Sequence, residues 1–521
     1  MTHVLTTDQM KSAEGAAIGS GRITGLELME RAAAVAANEI ASRFGEDAEI
    51  GRRAAVFCGP GNNGGDGYGI ATLLAEQGWD VTLWAFGDPK KLAPEAAAMR
   101  LRWLAIGEIL DLERFSSFDC TYGHVTIDAM FGTGLRRPIG RQAIRALGAG
   151  IGRGPVVAVD ILSGLNSDTG EFMCEECFSP EPVQLTVTFQ CAKPGHFLRE
   201  GGRLSGDVSV QTIGIENEVA HLAVGQNLCR RIERADISSN GLLKTNPTGH
   251  KYGHGHVLVL SGGSGRGGAA RLAARAALRV GAGLVTIGVE QAGIAEHASQ
   301  LNAIMLRPVD DPEMLTSILS DPRINCICAG PGLGINENSK RLVETLLKSG
   351  RKLVLDADAL GIFKERSEEF RDAMTAQIVM TPHAGEFRQL FPDLHDRVWE
   401  RGTDTSKLVA TAAAARRTNA TIVHKGHDTV VATPDGGVSL VPATGHDAAP
   451  WLATAGSGDV LAGLISGLIA RGKGVGDAAC TAAWIHFAAA RKFGPGLIAE
   501  DLPECVPAVL AEFDPMHARI P

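Results

Sequence analysis

One local order of residues recurs along this chain: an apolar, β-rich run, a glycine-rich turn, then an Ala/Leu-rich stretch with helical spacing. Its first instance is Arg53–Cys58, Gly59–Gly67 and a helix running to Gln77. In that helix Ile70, Leu73, Leu74 and Gln77 fall at i, i+3, i+4 and i+7. Further strands are predicted at Asp80–Phe86, His124–Asp128, Pro155–Asp160 and Gln184–Phe189. The pattern restarts with the strand His256–Leu260, the loop Ser261–Gly268 and the helix Ala269–Val280. Strands then follow at Leu284–Val289, Cys326–Ala329, Lys352–Asp356, Ile378–Thr381 and Thr421–His424, and the Pro434–Gly437 turn makes a hairpin of Thr429–Thr433 and Val438–Val441. Strands alternating with helices imply parallel sheets with right-handed crossovers, whose ligands sit at the carboxyl edge. The expected class is therefore α/β, with two doubly wound domains. They span residues 1–225 and 235–521, with Ser238–Gly241 as the breaker between them.

Glycine is in excess, 64 of 521 residues, while aromatics supply 5%. No G-X-Y period exists, which excludes collagen. The net charge of −9 argues against a grip on nucleic acid or an anionic membrane, because both need a basic field. It leaves open a small anion held by backbone amides. The ten cysteines are scattered; Cys174 and Cys177 form one C-x-x-C without a second pair, so free thiols in a cytoplasmic setting are expected. The amino-terminal stretch lacks the basic and apolar regions of a signal peptide, and the longest apolar run, Val460–Ala470, is too short to span a bilayer.

The candidate chemistry lies at the strand ends. Gly59–Gly67 (GPGNNGGDG) contains G-x-G-x-x-G between a strand and a helix, a geometry that brings backbone N–H groups to a phosphate. Asn62, Asn63 and Asp66 inside it suit a cation or a ribose-nicotinamide better than a bare pyrophosphate; Asp66 could equally be a plain helix cap. Asp128 ends a strand and is followed by Gly132-Thr133-Gly134-Leu135-Arg136-Arg137-Pro138. Asp160 ends the next strand, and Lys193 follows the one after it, as an acid/base pair or a structural salt bridge. In the second half, histidines at 250, 254 and 256 precede a glycine loop and could hold a metal. Gly332 and Gly334 lie in a strand-end turn. His383 and Glu386 follow a strand, where His383 reads either as functional or as a neighbour of a helix start. Lys425-Gly426-His427-Asp428-Thr429 precedes Gly456-Ser457-Gly458-Asp459, where helix-start amides form an anion hole. Asp459 beside them can accept a proton from a hydroxyl as a phosphoryl group moves, or simply cap its helix.

These residues carry a resemblance. GxGNNGGDG, DAMFGTGL, VAVDILSG and TFxxxKPG, over roughly residues 1–220, resemble the Rossmann-like epimerase domain of the NAD(P)H-hydrate repair proteins. GPGLG, VLDADAL, PHAGEF, KGHDT and GSGDVLAG, over roughly residues 240–510, resemble the ribokinase-like, ADP/ATP-dependent dehydratase domain of the same family. The resemblance implies repair of hydrated NADH and NADPH, by epimerisation at C6 of the ring and ADP-dependent dehydration of the S form to NAD(P)H, AMP and phosphate. It implies that Asn62, Asn63, Gly64, Gly65, Asp66, Gly132–Pro138 and Asp160 hold the hydrate in the first half, with Lys193 catalytic. Asn63, Asp128 and Ser163 would ligate a potassium ion. In the second half Ala270, Gly332, Gly334, His383 and Asp459 would face the hydrate, Asp459 as the base. Lys425, Gly426, His427, Asp428, Thr429 and Gly458 would hold the adenine nucleotide, with magnesium on its phosphates. A homo-oligomer is expected. Leu162, Trp451 and Ala455 depart from the family pattern, Leu162 standing where proline is usual. A vitamin-precursor kinase of ribokinase-like fold, or a non-catalytic nucleotide-binding scaffold, are the alternative readings; the NNGGD and PHAGEF motifs argue against the first, and intact Asp160, Lys193 and Asp459 against the second.

Overall fold

In the run Arg53–Cys58 every residue after Arg53 is buried, because helices cover both faces of the sheet it enters. Val56 and Cys58 pack into one cluster with Ala33, Ile70 and Leu74, while Ala55 and Phe57 point the other way, against Trp84, Phe115 and Ile144. The same two-sided burial recurs in His256–Leu260, where Val257 and Val259 enter one core and Leu258 and Leu260 another. An uninterrupted apolar run is the mark of a central strand in a parallel sheet.

The computed structural model describes residues 2–115, 123–150, 154–175, 178–238, 242–244, 249–365 and 367–514. Cys177 and most of the 238–241 breaker lie outside the described residues. The strands are β1 (Thr2–Val4), β2 (Arg53–Cys58), β3 (Asp80–Ala85), β4 (Leu110–Asp111), β5 (Val125–Ala129), β6 (Val156–Val159), β7 (Leu185–Phe189), β8 (Asp207–Gln211), β9 (Cys229–Arg231), β10 (His256–Leu260), β11 (Leu284–Val289), β12 (Met305–Pro308), β13 (Ile324–Ala329), β14 (Lys352–Leu355), β15 (Ile378–Met380), β16 (Thr421–His424), β17 (Asp428–Ala432) and β18 (Val438–Pro442).

One sheet has the order β4-β3-β2-β5-β6-β7-β8, with every pairing parallel. The chain builds outward from β2 in one direction and from β5 in the other. The crevice between the carboxyl ends of β2 and β5 is therefore the switch point where ligands bind. The second sheet has the order β1-β9-β18-β17-β16-β15-β14-β13-β10-β11-β12, parallel from β12 to β16 and antiparallel through the β16–β17–β18 meander. Its switch point lies between β10 and β13. No helix among the described residues is long and apolar enough to cross a membrane.

Two features differ from the sequence reading. The helix after β2 begins at Asn62, so Asn62–Gly67 form its first turn and a half rather than a loop. Packing decides this. A Cβ at Gly64 would lie 2.0 Å from the Gly59 carbonyl, and one at Gly65 2.7 Å from Met29 Sδ. The glycines let the helix start settle directly on the sheet edge. Secondly, β1 leaves the first half and pairs with β9, which joins β18, so three amino-terminal residues extend the second sheet.

Candidate active sites

The carboxyl edge of the first sheet opens into a cavity of about 710 Å³, lined among others by Asn62, Asn63, Asp66, Gly132–Arg137, Asp160 and Lys193. Asp160 follows β6 in a left-handed conformation, φ 64°, which costs a non-glycine residue about 1–3 kcal/mol. Both backbone groups hold it there: its N–H donates to the Val187 carbonyl at 2.7 Å, and its carbonyl accepts from His196 Nε2 at 2.9 Å. His196 Nδ1 accepts the Lys193 N–H at 3.1 Å, which leaves the proton on Nε2. Burial above all keeps this imidazole neutral, pushing it down to about 4.

Lys193, 1% exposed, donates from Nζ to Asp160 Oδ1 at 2.6 Å, to Thr188 Oγ1 at 2.7 Å and to the Phe189 carbonyl at 3.3 Å. Thr188 also donates to Asp160 Oδ1, at 3.0 Å. Burial pushes the Asp160 carboxyl up, but the Lys193 ammonium outweighs it and holds the group below the ordinary carboxylate value. Asp66 and Glu14, facing the same cavity, are pushed the other way, first by burial and then by the Asp160 charge, with Lys193 pulling against it. Asp66 is not a helix cap, since the cap position is Gly61. Glu14, on the helix Thr7–Gly19, was missed by motif reading, because an acid in an Ala-rich helix carries no local signal.

Behind the cavity, Asp128 is fully buried. Its Oδ1 accepts from Ser163 Oγ at 2.6 Å and its Oδ2 from the Ser163 N–H at 2.7 Å. Burial lifts this carboxyl to about 6, with the Ser163 bonds pulling against it. Leu162, in the place where proline is usual, is 1% exposed, and its carbonyl accepts from the Leu165 N–H at 3.0 Å. Ser163 Oγ also accepts the Phe131 N–H at 2.9 Å, and Gly132, next along, lies against the Asn63 carboxamide. The Asn63 Nδ2 is buried without a partner among the described residues. Gly64, Gly65 and Pro138 are not in the cavity wall.

At the second edge, Gly456 (φ 91°) caps the helix Ser457–Ala470. Glycine is required here both for the left-handed backbone and for space, because a Cβ would lie 2.8 Å from Ala499 Cβ. Ser457 Oγ donates to the Leu452 carbonyl at 2.9 Å, and no side chain caps the helix. Its first amides and positive dipole end thus face outward. Asp459 stands in that first turn, half-buried and uninvolved in capping; burial first, and then Asp356, lift its carboxyl to about 7. Lys425 Nζ donates to Asp356 Oδ1 at 2.8 Å and lies 3.8 Å from Glu386 Oε2. Burial pulls the ammonium down, yet Asp356 outweighs it and keeps the group charged. A Cβ on Gly458 would lie 3.3 Å from Lys425 Nζ, so the ammonium lies over the helix start.

His383 is a cap: its Nδ1 accepts from the Gly385 and Glu386 N–H groups at 3.0 and 3.2 Å, and Glu386 returns a bond to its backbone. Its Nε2 lies at the surface, 3.6 Å from Glu386 Oε2. The Gly334 N–H donates to Asp358 Oδ2 at 2.7 Å. Ala270 is fully buried, packed in the core with Ala273 and Val257. His256 is bonded to Thr286 within the sheet at 2.8 Å, and among the described residues no group of three His, Cys, Asp or Glu could hold a metal.

The 425–429 segment turns partly toward the first half. Asp428 Oδ1 accepts from Lys407 Nζ at 2.6 Å, its Oδ2 accepts from the Arg199 N–H at 3.2 Å, and His427 Nε2 lies 3.2 Å from the Arg199 carbonyl. Neither Lys407 nor Arg199 is marked by a motif; only the fold brings them there.

Residues 25–195 match the family described as YjeF-related protein N-terminus, and residues 257–502 the family described as NAD(P)H-hydrate dehydratase. The bifunctional NAD(P)H-hydrate repair enzyme of Moorella thermoacetica is 33% identical, over 98% of this chain and 97% of its own length. Its counterpart in Salinibacter ruber is also 33% identical, over 98% and 96%. The ADP/ATP-dependent NAD(P)H-hydrate dehydratase of Bacillus subtilis superposes with a TM-score of 0.46 and 24% identity, over 55% of this chain and 99% of that one.

Proposed function

The chain belongs to the family of bifunctional NAD(P)H-hydrate repair enzymes, and from that premise we propose how its two sheet edges divide the work. It repairs hydrated NADH and NADPH. The first half interconverts the R and S epimers, and the second dehydrates the S form with ADP, leaving NAD(P)H, AMP and phosphate. Two joined family matches over one chain carry this reading, and they set aside a vitamin-precursor kinase and an inert scaffold.

In the first half the hydrated ring lies against Asp160, with the nucleotide along Asn62, Asp66 and Gly132–Arg137. Lys193 keeps Asp160 ionised and so able to take a proton at the C6 hydroxyl or at water. Gly64, Gly65 and Pro138 act only by setting the backbone around it. Asn63, Asp128 and Ser163 would hold a potassium ion. They fit it by donor type, because the Asn63 carboxamide, the Asp128 carboxylate and the Ser163 hydroxyl all offer oxygen ligands, the last two standing 2.6 Å apart. Bound there, the ion would supply a fixed positive charge beside the substrate.

In the second half the hydrate approaches Ala270, Gly332, Gly334 and His383 Nε2. The amides of Ser457–Asp459, Gly458 among them, receive phosphate oxygens, and Lys425 stands over the same oxygens; Gly426–Thr429 line the nucleotide. Asp459 takes the proton of the C6 hydroxyl as its oxygen attacks the β-phosphorus of ADP and AMP departs. The C6–O bond then breaks, phosphate leaves, and loss of a C5 proton restores the ring double bond. Magnesium would neutralise charge on the phosphates. It would arrive with the nucleotide. A reducing cytoplasm suits the free thiols of the described cysteines. The test is incubation with hydrated NADPH and ADP, following the return of dihydronicotinamide absorbance. Recovery from the S form alone, with the R form untouched, would remove the epimerase half of the reading.

A further inference from the structure

Inverting one carbon by exchange of its hydroxyl requires oxygen to leave one face of the ring and to arrive on the other. A proton must therefore be delivered on one side and removed on the other. Asp160 and Lys193 stand together at the sheet edge, fused into one ion pair, and serve one side only.

A different element builds a further wall of the same cavity. The helix Thr7–Gly19 contributes Thr7, Met10, Lys11, Glu14 and Ile18 to the lining, at i, i+3, i+4, i+7 and i+11 along one helical stripe. Its adjacent stripe, Ala13 and Ala17, is buried in the core. The wall is firmly set. The Thr7 N–H donates to Asp168 Oδ1 at 2.7 Å, and Thr7 Oγ1 lies 2.6 Å from Ser167 Oγ. The Ser167 carbonyl accepts from the Gly195 N–H at 2.7 Å, two residues from Lys193. One loop thus fixes the Glu14 helix and the Lys193 turn relative to each other. Among the described residues, no hydrogen bond or salt bridge ties up the Glu14 carboxylate.

We propose that Glu14 is the second proton-transfer residue of the epimerisation, working on the ring face turned away from Asp160; this rests on the epimerase reading of the cavity. In one direction the Glu14 carboxylic acid protonates the C6 hydroxyl, the C6–O bond breaks and water leaves, and the N1 lone pair forms a C6–N1 iminium. A water on the Asp160 side then bonds to C6 and gives its proton to the Asp160 carboxylate, while the electron pair returns to N1. In the opposite direction the two residues exchange roles, and solvent resets both protons. The groups facing Glu14 are Lys193, Asp160 and Asp66 across the cavity and Lys11 on its own helix. Burial above all, with the Asp160 charge beside it, pushes Glu14 up against the pull of Lys193 and Lys11, while Asp160 is held down, the division of protons that an acid and a base in one site need.

The experiment uses the full chain, with purified R and S hydrates and Glu14→Gln and Glu14→Asp variants. Glu14→Gln is expected to slow R-to-S conversion about 100-fold and to lose the alkaline limb of its pH–rate profile. Glu14→Asp should recover to within about tenfold. ADP-driven dehydration of the S form should be unchanged in both, which reports an intact fold. Epimerisation by the wild type in 18O-labelled water should place the label at C6. A Glu14→Gln variant with wild-type rate and pH profile, an Asp variant no better than Gln, or no label at C6 overturns the proposal. A wild-type chain that leaves the epimers unmixed overturns the epimerase reading instead.

Discussion

Asp459 shows what a single residue in this fold is asked to do. It stands in the first turn of a helix but caps nothing, and burial beside Asp356 lifts it to about 7. A base must be ionised to accept a proton. The kcat/KM of dehydration should therefore fall as pH drops through about 7, and hold level above it. A pH–rate profile of the S form with saturating ADP checks this; a flat profile between pH 6 and 8, on the order of one unit to either side of such a group, would contradict it. Asp459→Asn should abolish ADP-driven dehydration while R–S interconversion persists, because the first cavity is built from other residues. Coupled and uncoupled assays on one preparation separate the two. At this scale the sequence was readable where an acid ends a strand, as at Asp128 and Asp160, since a parallel sheet offers its carboxyl edge to ligands. It was silent on Glu14, Arg199 and Lys407. Lys407 meets Asp428 only through the fold, Arg199 meets it across 229 residues, and the Glu14 helix is set by a contact of Thr7 with Ser167 across 160, none of which a local pattern encodes.

At the level of elements, the central strands were legible to within a residue or two because burial on both faces leaves an unbroken apolar run. β10, β11 and β16 coincide with the runs read from sequence. Edge strands such as β4 and β12 were not seen, being two and four residues long with exposed positions. The glycines were read as loop residues meeting a ligand. Several instead serve as contact points between elements. Gly463, on the helix Ser457–Ala470, is one: a Cβ there would lie 2.1 Å from the Ala273 carbonyl of the neighbouring helix Gly268–Arg279. Backbone cannot give way as a flexible side chain can. Gly463→Ala should therefore cost about 1–3 kcal/mol as overpacking. At about 2–4 °C for each kcal/mol in a domain of this size, thermal unfolding of the second half should shift down measurably. Because that helix also presents Asp459, the KM for ADP should rise as well. An unshifted melting temperature would show that the two helices can part at no cost.

Taken whole, the molecule is not two independent units. β1 crosses to the second sheet, and the 192–202 segment that carries Lys193 and His196 on one side meets the 425–429 segment on the other. Val4, Ala192, Phe197 and Leu198 form one buried cluster with Cys229, Leu408, Val430 and Leu440. Arg199 closes its rim, donating to the Val398 carbonyl at 3.2 Å with its guanidinium 5.0 Å over the Trp399 ring. The recurring strand–glycine–helix order implied two doubly wound sheets, but nothing in it announced that three residues at the start would bind them together. Phe197 is the largest apolar side chain at the join, 2% exposed, with Arg231 stacked 4.8 Å above its ring. Truncating such a residue costs about 3–5 kcal/mol. That loss falls on the join rather than on either sheet, since neither principal core includes it. Phe197→Ala should therefore split the thermal unfolding of the full chain, a single calorimetric transition in the wild type becoming two in the variant. Epimerisation should suffer more than dehydration, because Lys193 and His196 lie within four residues of the lost ring while Asp459 hangs from another element. A variant that still melts in one step, or that loses both activities equally, would show that the halves are joined elsewhere.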